Sequence, residues 1–213
     1  MNNRDISTIS LLTKRILDLI AGIVILIISL PLLFVIVILI KLDSKGPAFF
    51  IQKRLGKNGK VFNCYKFRTM VLDAEERLWL SLIKQPALKQ EWEANFKIKN
   101  DSRVTIIGRL LRKTSLDELP QIINVIRGEM SLVGPRPRPL YEMEGMEENH
   151  LFQAGLSVLP GITGLWQVSG RNELDFENRI WLDAVYVWNW SLWLDASLLL
   201  RTIGIVLRQK GSY

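Results

Sequence analysis

The sequence predicts a mixed α+β fold that is mainly α-helical, with an N-terminal membrane helix, a small β-hairpin and a helical domain. Three observations predict it: 22 uncharged residues in a row at positions 19–40, an Asn-Gly pair between two strand-like segments, and apolar residues at helical spacing through much of the remaining chain. The 213 residues are 48% hydrophobic and 23% charged, which excludes an intrinsically disordered chain. We expect a membrane-anchoring segment over residues 1–45 and a second domain over residues 46–213.

A helix over residues 19–40 is long enough to cross a bilayer, since it would extend about 33 Å at the usual rise per residue. It is too long for the apolar part of a cleaved signal peptide, and no small-residue cleavage site follows it. Pro31, two residues after Ser29, removes a backbone donor near the middle of the run. The segment after Pro31 would then extend only about 17 Å, too short to cross alone.

Basic residues flank this run on both sides, with Lys14 and Arg15 before it and Lys41 and Lys45 after it. Because basic residues favour the cytoplasmic side, only a helix that enters the membrane and returns would suit both flanks. Proline-kinked helices that span the membrane are common, however, so the residues alone leave both topologies open. Residues 41–70 contain eight basic residues and one acidic residue, a net charge of +7 that suits an anionic lipid surface.

Two strands and a helix are predicted next. Residues 49–52 and Val61–Phe67 have strand character and flank Gly56-Lys57-Asn58-Gly59, whose Asn-Gly pair is a strong hairpin signal. Residues 73–96 form an amphipathic pattern that predicts one helix. Its residues available for burial or lipid contact are Leu78, Trp79, Leu82 and Trp92.

The C-terminal part is rich in tryptophan. Four of the seven tryptophans lie at positions 181, 188, 190 and 193, and apolar residues follow at helical spacing. Those residues are Leu198, Leu199, Ile203, Val206 and Leu207, and the run ends in Arg208 and Lys210. Such a pattern suits a helix in the lipid headgroup region, or an ordinary buried helix with aromatic anchors, and both interpretations stay open.

The low number of cysteines and histidines excludes several kinds of chemistry. Cys64 and His150 are the only residues of their types, so neither an internal disulfide nor a zinc site of Cys and His ligands can form. A Ser-His-Asp device would need His150, whose polar neighbours favour a surface histidine. Any chemistry must therefore use carboxylates and arginines, with a hard ion where a metal takes part.

The candidate site centres on Asp117 and Glu118. Pro120 favours an early helical position and Gly128 favours a helix end, so the two acids are expected at or just before a helix N-terminus. A purely structural interpretation is available, because Ser115-x-x-Glu118 fits a capping box that needs no catalysis.

The surroundings of the acid pair favour phosphoryl chemistry over a simple cap. Seven basic residues lie within forty positions of it: Arg103, Arg109, Arg112, Lys113, Arg127, Arg136 and Arg138. Three alternating prolines stiffen the backbone around Arg136 and Arg138, whose guanidinium forks match phosphate oxygens. Mg²⁺ would suit the carboxylates together with substrate phosphates. No Walker motif and no G-x-G-x-x-G is present, so a standard nucleotide fold is unsupported.

These segments together resemble the bacterial sugar transferases, the monotopic phosphoglycosyl transferases. The resemblance covers nearly all of residues 12–210 and is closest to the hexose-1-phosphate branch. Its N-terminal motifs are Lys14-Arg15 with Asp18, Gly46-Pro47, Gln52-x-Arg54-x-Gly56 and KFRTM at 66–70. The others are LRKTSLDELPQ at 111–121, Asn124, GEMSLVGPRP at 128–137, PGITGLWQ at 160–167 and Gly170-Arg171. Larger members carry further N-terminal helices and another domain, and this chain is similar to their catalytic unit.

The resemblance implies an enzyme that moves a sugar 1-phosphate from a UDP-sugar to polyprenyl (undecaprenyl) phosphate and releases UMP. It implies that Asp117 is the nucleophile that forms a covalent phosphosugar intermediate, that Glu118 completes the catalytic dyad, and that Mg²⁺ binds near Asp117. Arg112 and Arg136 match arginines expected at phosphate or nucleotide groups, and Lys66 and Arg171 match further motif positions. Arg138 joins these substrate-binding candidates through its place in the proline-stiffened segment.

The resemblance also favours the re-entrant topology, with the membrane helix broken at Ser29-Leu30-Pro31. The expected architecture is thus a re-entrant helix and a helical catalytic domain that lies on the membrane through amphipathic interfacial helices. The expected location is the cytoplasmic face of a bacterial inner membrane, at the start of exopolysaccharide, capsule or O-antigen assembly. The expected partners are the two substrates and membrane lipids but no nucleic acid, and a homodimer is allowed.

Two other functions remain open at this point. A membrane-anchored module that binds anionic lipid or nucleic acid would explain the basic charge and the anchor, but not the acid pair or the Arg-Pro repeat. A carboxylate-based lipid diphosphatase would use the same acids and release phosphate without an acceptor. Release of UMP that depends on polyprenyl phosphate would separate both from the transferase.

Overall fold

The first helix dominates the computed structural model, which describes residues 8–95, 98, 101–170 and 174–208. Helix α1 (Thr8–Asp43) is the one helix in the described part of the chain that is long and apolar enough to cross a membrane. Its buried residues recur every four or seven positions, namely Asp18, Gly22, Ser29, Ile36 and Ile40, so one face of α1 is buried along most of its length. The other faces expose isoleucine, leucine, valine and phenylalanine side chains.

Pro31 lies inside α1, and the hydrogen-bonded helix continues through it. The helix is therefore not broken at the predicted position, and a re-entrant path requires a bend within a continuous α1. Proline leaves the carbonyl of Ile27 without its helical donor, because that carbonyl is four residues earlier. The Ser29 hydroxyl donates to the neighbouring carbonyl of Leu26 at 3.1 Å.

The predicted hairpin is confirmed. Strands β1 (Phe49–Leu55) and β2 (Val61–Phe67) pair antiparallel, with Phe49 opposite Phe67 and Leu55 opposite Val61. Asn58 and Gly59 between them have φ angles of 55° and 73°, the left-handed conformation that an Asn-Gly pair adopts readily. Strand β1 is three residues longer than predicted, because residues 53–55 also pair with β2.

The single helix predicted over residues 73–96 is wrong. Helix α2 (Ala74–Lys84) ends before Gln85, which is extended, and α3 (Pro86–Asn95) begins at the proline. A residue before proline is driven out of the helical region, which explains the division. Leu78 and Leu82 of α2 are buried while Trp79 is exposed, and Phe96 lies outside the described residues.

The middle of the chain carries the candidate site. Helix α4 (Ile106–Thr114) leads into a 3-10 segment (Leu116–Gln121) and then α5 (Ile122–Arg127), which ends at Gly128 as predicted. Strand β3 (Ser131–Val133) follows, and β4 (Arg138–Pro139) joins the hairpin to give the strand order β2-β1-β4.

The C-terminal part completes the fold with short elements and two longer helices. They are α6 (His150–Leu156), β5 (Gly161–Thr163), α7 (Leu165–Ser169), α8 (Phe176–Trp188) and α9 (Leu192–Arg208). Strand β5 is parallel to β3. His150 begins α6 and is exposed, so it takes no part in the candidate site.

Both interpretations of the tryptophan-rich region describe part of it. Leu198 of α9 is fully buried in a core cluster with residues of α5, β3 and α8. Trp181, Trp188 and Trp193 are exposed, as are Leu200 and Ile203. Contact of this exposed face with lipid stays a prediction, and Lys210 lies outside the described residues.

The two halves of α1 pack against the same domain. In the first half, Ala21 and Leu26 pack against the core cluster that holds Val125 and Leu198. In the second half, Ile36 and Ile40 pack with Ala48, Phe67 and Leu111. The two halves of α1 therefore contribute to two separate core clusters of the domain.

Several basic residues expected at the membrane surface are internal. The Lys14 ammonium donates to the Asp195 carboxylate at 2.5 Å and to the Val133 carbonyl at 3.1 Å. Arg15 donates to the last carbonyls of α5. Arg68 is buried and donates to the Ser44 and Lys45 carbonyls just after α1. The predicted contact with anionic lipid is therefore wrong for Arg68, the one of these three that belongs to the basic patch of residues 41–70, because its guanidinium is buried against two backbone carbonyls.

Candidate active site

The turn before the acid pair gives it its position. Ser115 has a left-handed φ of 59° and ends α4, and the 3-10 segment that begins at Leu116 carries Asp117 and Glu118 in its first turn. The Ser115 side chain makes no capping hydrogen bond there. The capping-box interpretation is therefore wrong, and the Glu118 carboxylate is free for other partners.

Glu118 is held by two cations. The Lys66 ammonium donates to Oε1 at 2.7 Å, and the Arg136 guanidinium donates to both oxygens at 2.5 and 3.1 Å. Burial by itself would raise the pKa of Glu118, but Arg136 and Lys66 hold that pKa well below its ordinary value. Glu118 is thus an ionised carboxylate whose charge is already matched by bonded cations.

Asp117 has the opposite environment. In the described part of the chain its carboxylate has no hydrogen-bond or ion-pair partner, although Lys66, Arg112 and Arg136 are close enough to act on its charge. Burial, with the adjacent charge of Glu118, raises the pKa of Asp117 to about 6, against the opposing effect of those three cations. An unbonded, partly desolvated carboxylate has lone pairs available for attack on an electrophile.

Arg112 lies on α4, one turn before Asp117. Its Nε donates to the Thr69 hydroxyl at 3.0 Å, which fixes the guanidinium. Burial lowers the pKa of Arg112, and the charge of Asp117 opposes this effect. The structure therefore brings Lys66, Arg112 and Arg136 to the acid pair, from β2, α4 and the segment before β4.

The segment that carries Arg136 is fixed along its length. Arg54 donates to the Pro137 carbonyl at 3.1 Å, and the Gly161 amide donates to the Pro135 carbonyl at 2.7 Å. A side chain at Gly134 would lie 2.6 Å from the Leu159 carbonyl oxygen, so the close approach of the two backbones needs glycine there.

The structure does not bring Arg138 to the acid pair. Its guanidinium donates to Asp183 at 2.6 Å and to Glu142 at 3.1 Å, and it lies over the Phe152 and Phe176 rings. The contacts of the Arg138 side chain are therefore inside the domain. They fix the position of the backbone two residues after Arg136. Arg171, the remaining candidate, lies outside the described residues.

Sequence reasoning missed two further residues that shape the site, Trp166 and Asp183. The Trp166 ring lies beneath two guanidiniums, with Arg136 at 5.9 Å and Arg179 at 5.2 Å from its centroid. Asp183 anchors Arg138 from α8. Trp166 belongs to the PGITGLWQ motif and could have been found there, whereas nothing in the sequence separates Asp183 from an ordinary helix acid.

The carboxylates of the site suit a metal ion that binds together with the phosphates of a substrate. Within the described residues, no three His, Cys, Asp or Glu side chains form a metal-binding cluster. Asp117 has carboxylate oxygens free, while those of Glu118 are bonded to cations. Mg²⁺ is commonly held by one or two carboxylates together with substrate phosphates, so this donor set suits a magnesium diphosphate.

Comparison with known proteins agrees with these features. Residues 9–209 match the family model described as bacterial sugar transferase. The undecaprenyl-phosphate galactose phosphotransferase of Salmonella typhimurium is 48% identical over 94% of this chain and 41% of its own length. The UDP-galactose-lipid carrier transferase of Erwinia amylovora is 46% identical, again over 94% and 41%. The exopolysaccharide production protein ExoY of Rhizobium meliloti is 44% identical over 95% of this chain and 88% of its own length.

The chain thus spans less than half of the first two relatives and most of the third. The family match includes α1, the acid pair and the Arg136 segment. The residues gathered around Asp117 and the match over nearly the whole sequence lead to one conclusion: this chain belongs to the bacterial sugar transferases, as its motifs predict.

Proposed function

We propose that this protein transfers a hexose 1-phosphate from a UDP-sugar to polyprenyl phosphate and releases UMP, as the first step of lipid-linked glycan assembly. The observation that carries the proposal is the contrast within the acid pair, where Asp117 is unbonded and Glu118 is held by Lys66 and Arg136. The names of the relatives support the same chemistry, since they refer to undecaprenyl phosphate, galactose and exopolysaccharide.

In the first step, a carboxylate oxygen of Asp117 attacks the β-phosphorus of the UDP-sugar. The bond between that phosphorus and the bridging oxygen breaks, and UMP leaves with the electron pair. The product is an acyl phosphate that joins the sugar phosphate to Asp117. Arg112 and Arg136 are the residues best placed to balance the negative charge that develops on the phosphate oxygens.

In the second step, a phosphate oxygen of the polyprenyl phosphate attacks the phosphorus of this intermediate. The bond to the Asp117 oxygen breaks, the carboxylate is regenerated, and the diphosphate product leaves on the lipid. Neither step needs a proton transfer, which is consistent with a site built from ions without histidine. Mg²⁺, held by Asp117 when the donor binds, would supply further neutralisation of the diphosphate.

We also propose that α1 is re-entrant, so that the domain lies on the cytoplasmic face of the inner membrane. Near one end of α1, Asp18 accepts from the Leu132 amide at 3.1 Å; at the other end, Asp43 accepts from the Ile107 amide at 3.0 Å. A helix that crossed the bilayer would put these ends on opposite sides, yet one domain binds both. The exposed apolar middle of α1 would then enter a single leaflet.

The function is tested with purified protein and donor alone. Mass spectrometry should find a sugar-phosphate adduct on Asp117, with release of one UMP per adduct. Asp117→Asn should reduce transfer at least about a thousandfold, since the neutral amide is a poor nucleophile. A panel of UDP-sugars then identifies the donor. Full turnover by Asp117→Asn, or no adduct with any UDP-sugar, would contradict the mechanism.

A further inference from the structure

An exposed aromatic ring lies at the edge of the candidate site without a role in the chemistry described above. Phe50, in β1, is directly opposite Lys66 in β2, and the Lys66 ammonium bonds Glu118 at 2.7 Å. Directly opposed residues of an antiparallel pair project from the same face, with Cβ atoms about 5 Å apart. Phe50 therefore lies on the sheet face that carries the site, yet 47% of it is exposed.

The two ends of this sheet face have different surroundings. At the end that carries Arg54, β4 pairs with β1 and Arg54 bonds the Pro137 carbonyl, so the Arg136 segment covers it. The end that carries Phe50 follows α1 in the chain. Its neighbour Ala48 is buried in a cluster with Ile36 and Ile40 of the membrane helix.

The residue before the acid pair packs against the same apolar cluster. Leu116, the residue before Asp117, packs against the cluster that contains Ile36, Ile40 and Phe67. Asp117 is thus one residue away from a contact with the membrane helix. Phe50 is two residues after Ala48, which packs against Ile36 and Ile40 of α1, and it is directly opposite Lys66, which bonds the carboxylate next to Asp117.

We propose that Phe50 contacts the polyprenyl chain of the acceptor where the chain leaves the membrane surface and its phosphate reaches Asp117. This inference rests on the function proposed above. The ring is apolar and exposed, it is two residues from a contact with α1, and of the two substrates only the acceptor has a long apolar chain. The donor presents phosphates, a sugar and a base, and its charges match Arg112 and Arg136 instead.

The two half-reactions separate this inference from the proposed function. Formation of the adduct needs only the donor, whereas its discharge needs the acceptor. Phe50→Ser should form the adduct at the wild-type rate, while the KM for polyprenyl phosphate in the second step rises about tenfold, because the apolar contact is lost. Phe50→Leu, which keeps an apolar side chain, should remain within about threefold of wild type.

Ile51→Ser is the matched control, since Ile51 is the next residue of β1, is also about half exposed and projects from the opposite face. It should leave the KM for the acceptor unchanged. Three results would overturn the inference alone: a wild-type KM in Phe50→Ser, an equal rise in Ile51→Ser, or slowed adduct formation in Phe50→Ser with an unchanged acceptor KM. Absence of the adduct in the wild-type protein would instead overturn the proposed function and the inference with it.

Discussion

Asp117 and Glu118 are neighbours in the chain with opposite electrostatic surroundings. Burial acts against the ionised form of both, but only Glu118 has bonded cations to offset it. Pairs of acids whose pKa values are driven apart commonly have separate roles in one site. Here the separation supports the proposed role of Asp117 as the nucleophile, while Glu118 fixes the positions of Lys66 and Arg136.

This contrast predicts how formation of the adduct depends on pH. Asp117 must be ionised to attack, and its pKa is raised to about 6. The rate of adduct formation with donor alone should therefore fall as the pH drops through 6, by about tenfold between pH 7 and pH 5. Glu118 should contribute no second decline there, because its pKa is lowered.

The pH profile is measured by quenched-flow release of UMP in a single turnover. Circular dichroism at pH 5 and pH 7 serves as the control that the fold is unchanged. A rate that stays constant down to pH 5 would mean that Asp117 is not the group that ionises, or not the nucleophile.

At the scale of elements, the placement of α4 depends on close contact with Thr69, two residues after the end of β2. The Thr105 amide donates to the Thr69 carbonyl, and a side chain at Gly108 would lie 2.1 Å from that carbonyl oxygen. Arg112 reaches the Thr69 hydroxyl from the next turn of the same helix. The contact therefore positions both the helix and one of the site cations.

Gly108→Ala should lower the free energy of unfolding by about 2 kcal/mol, because backbone must move to admit the methyl group. Gly204 is the matched control, since it also lies in a helix and has no atom within 4 Å of an added side chain. Gly204→Ala should leave stability unchanged or increase it by up to about 1 kcal/mol through helix propensity. Thermal unfolding in detergent compares the two; equal Tm values would contradict the tight α4 contact.

Polar contacts attach the first half of α1 to α9 and β3. Asp195 accepts from Lys14, from the Tyr186 hydroxyl at 2.7 Å and from the Trp190 indole at 3.1 Å. Such a buried charge cluster is costly to open from one side, because the partner charge stays behind.

Asp195→Asn should therefore reduce stability by about 3 kcal/mol, because the Lys14 ammonium then keeps only the more distant carboxylate of Asp18, 3.9 Å away. The control is Asp73→Asn, which breaks the exposed pair of Asp73 with Arg77 and should leave Tm unchanged. Melting curves of both variants in the same detergent provide the measurement. An unchanged Tm for Asp195→Asn would show that this cluster does not hold α1 in place.

At the scale of the whole molecule, the proposed topology brings the two substrates together. A water-soluble donor reaches the site from the cytoplasm, while the acceptor phosphate remains at the headgroup plane. A protein inserted in one leaflet can hold both at Asp117 without moving either across the bilayer. The packing of Leu116 against the α1 cluster places the site next to α1, as this proposed topology requires.

Single cysteines at positions 3 and 57 test this topology in spheroplasts and in inverted vesicles. Both should react with a membrane-impermeant thiol reagent only in the inverted vesicles, because a re-entrant α1 keeps both on the cytoplasmic side. Cys64 is buried, so it should contribute little background. Labelling of the two positions from opposite sides would refute re-entrance.

Local patterns predicted the elements whose causes are local. The Asn58-Gly59 turn, the helix end at Gly128 and the apolar α1 all follow from neighbouring residues. Pro86 in the sequence also indicated that α2 and α3 are separate helices. The amphipathic pattern runs through both, however, and it led to the prediction of one helix. The internal positions of Lys14 and Arg68 were not readable, because a flanking charge has the same sequence pattern whether lipid or a buried carbonyl receives it.

The sequence by itself determined that the chain has a long apolar segment at residues 19–40 and that two adjacent acids stand among arginines, since composition and spacing are properties of the chain alone. Only the tertiary structure decided which acid is free. Lys66 and Arg136 lie 52 and 18 positions from Glu118, and folding brings both to that carboxylate and not to Asp117. Which of two neighbouring carboxylates is neutralised depends on the directions of side chains from distant elements, and no local pattern encodes them.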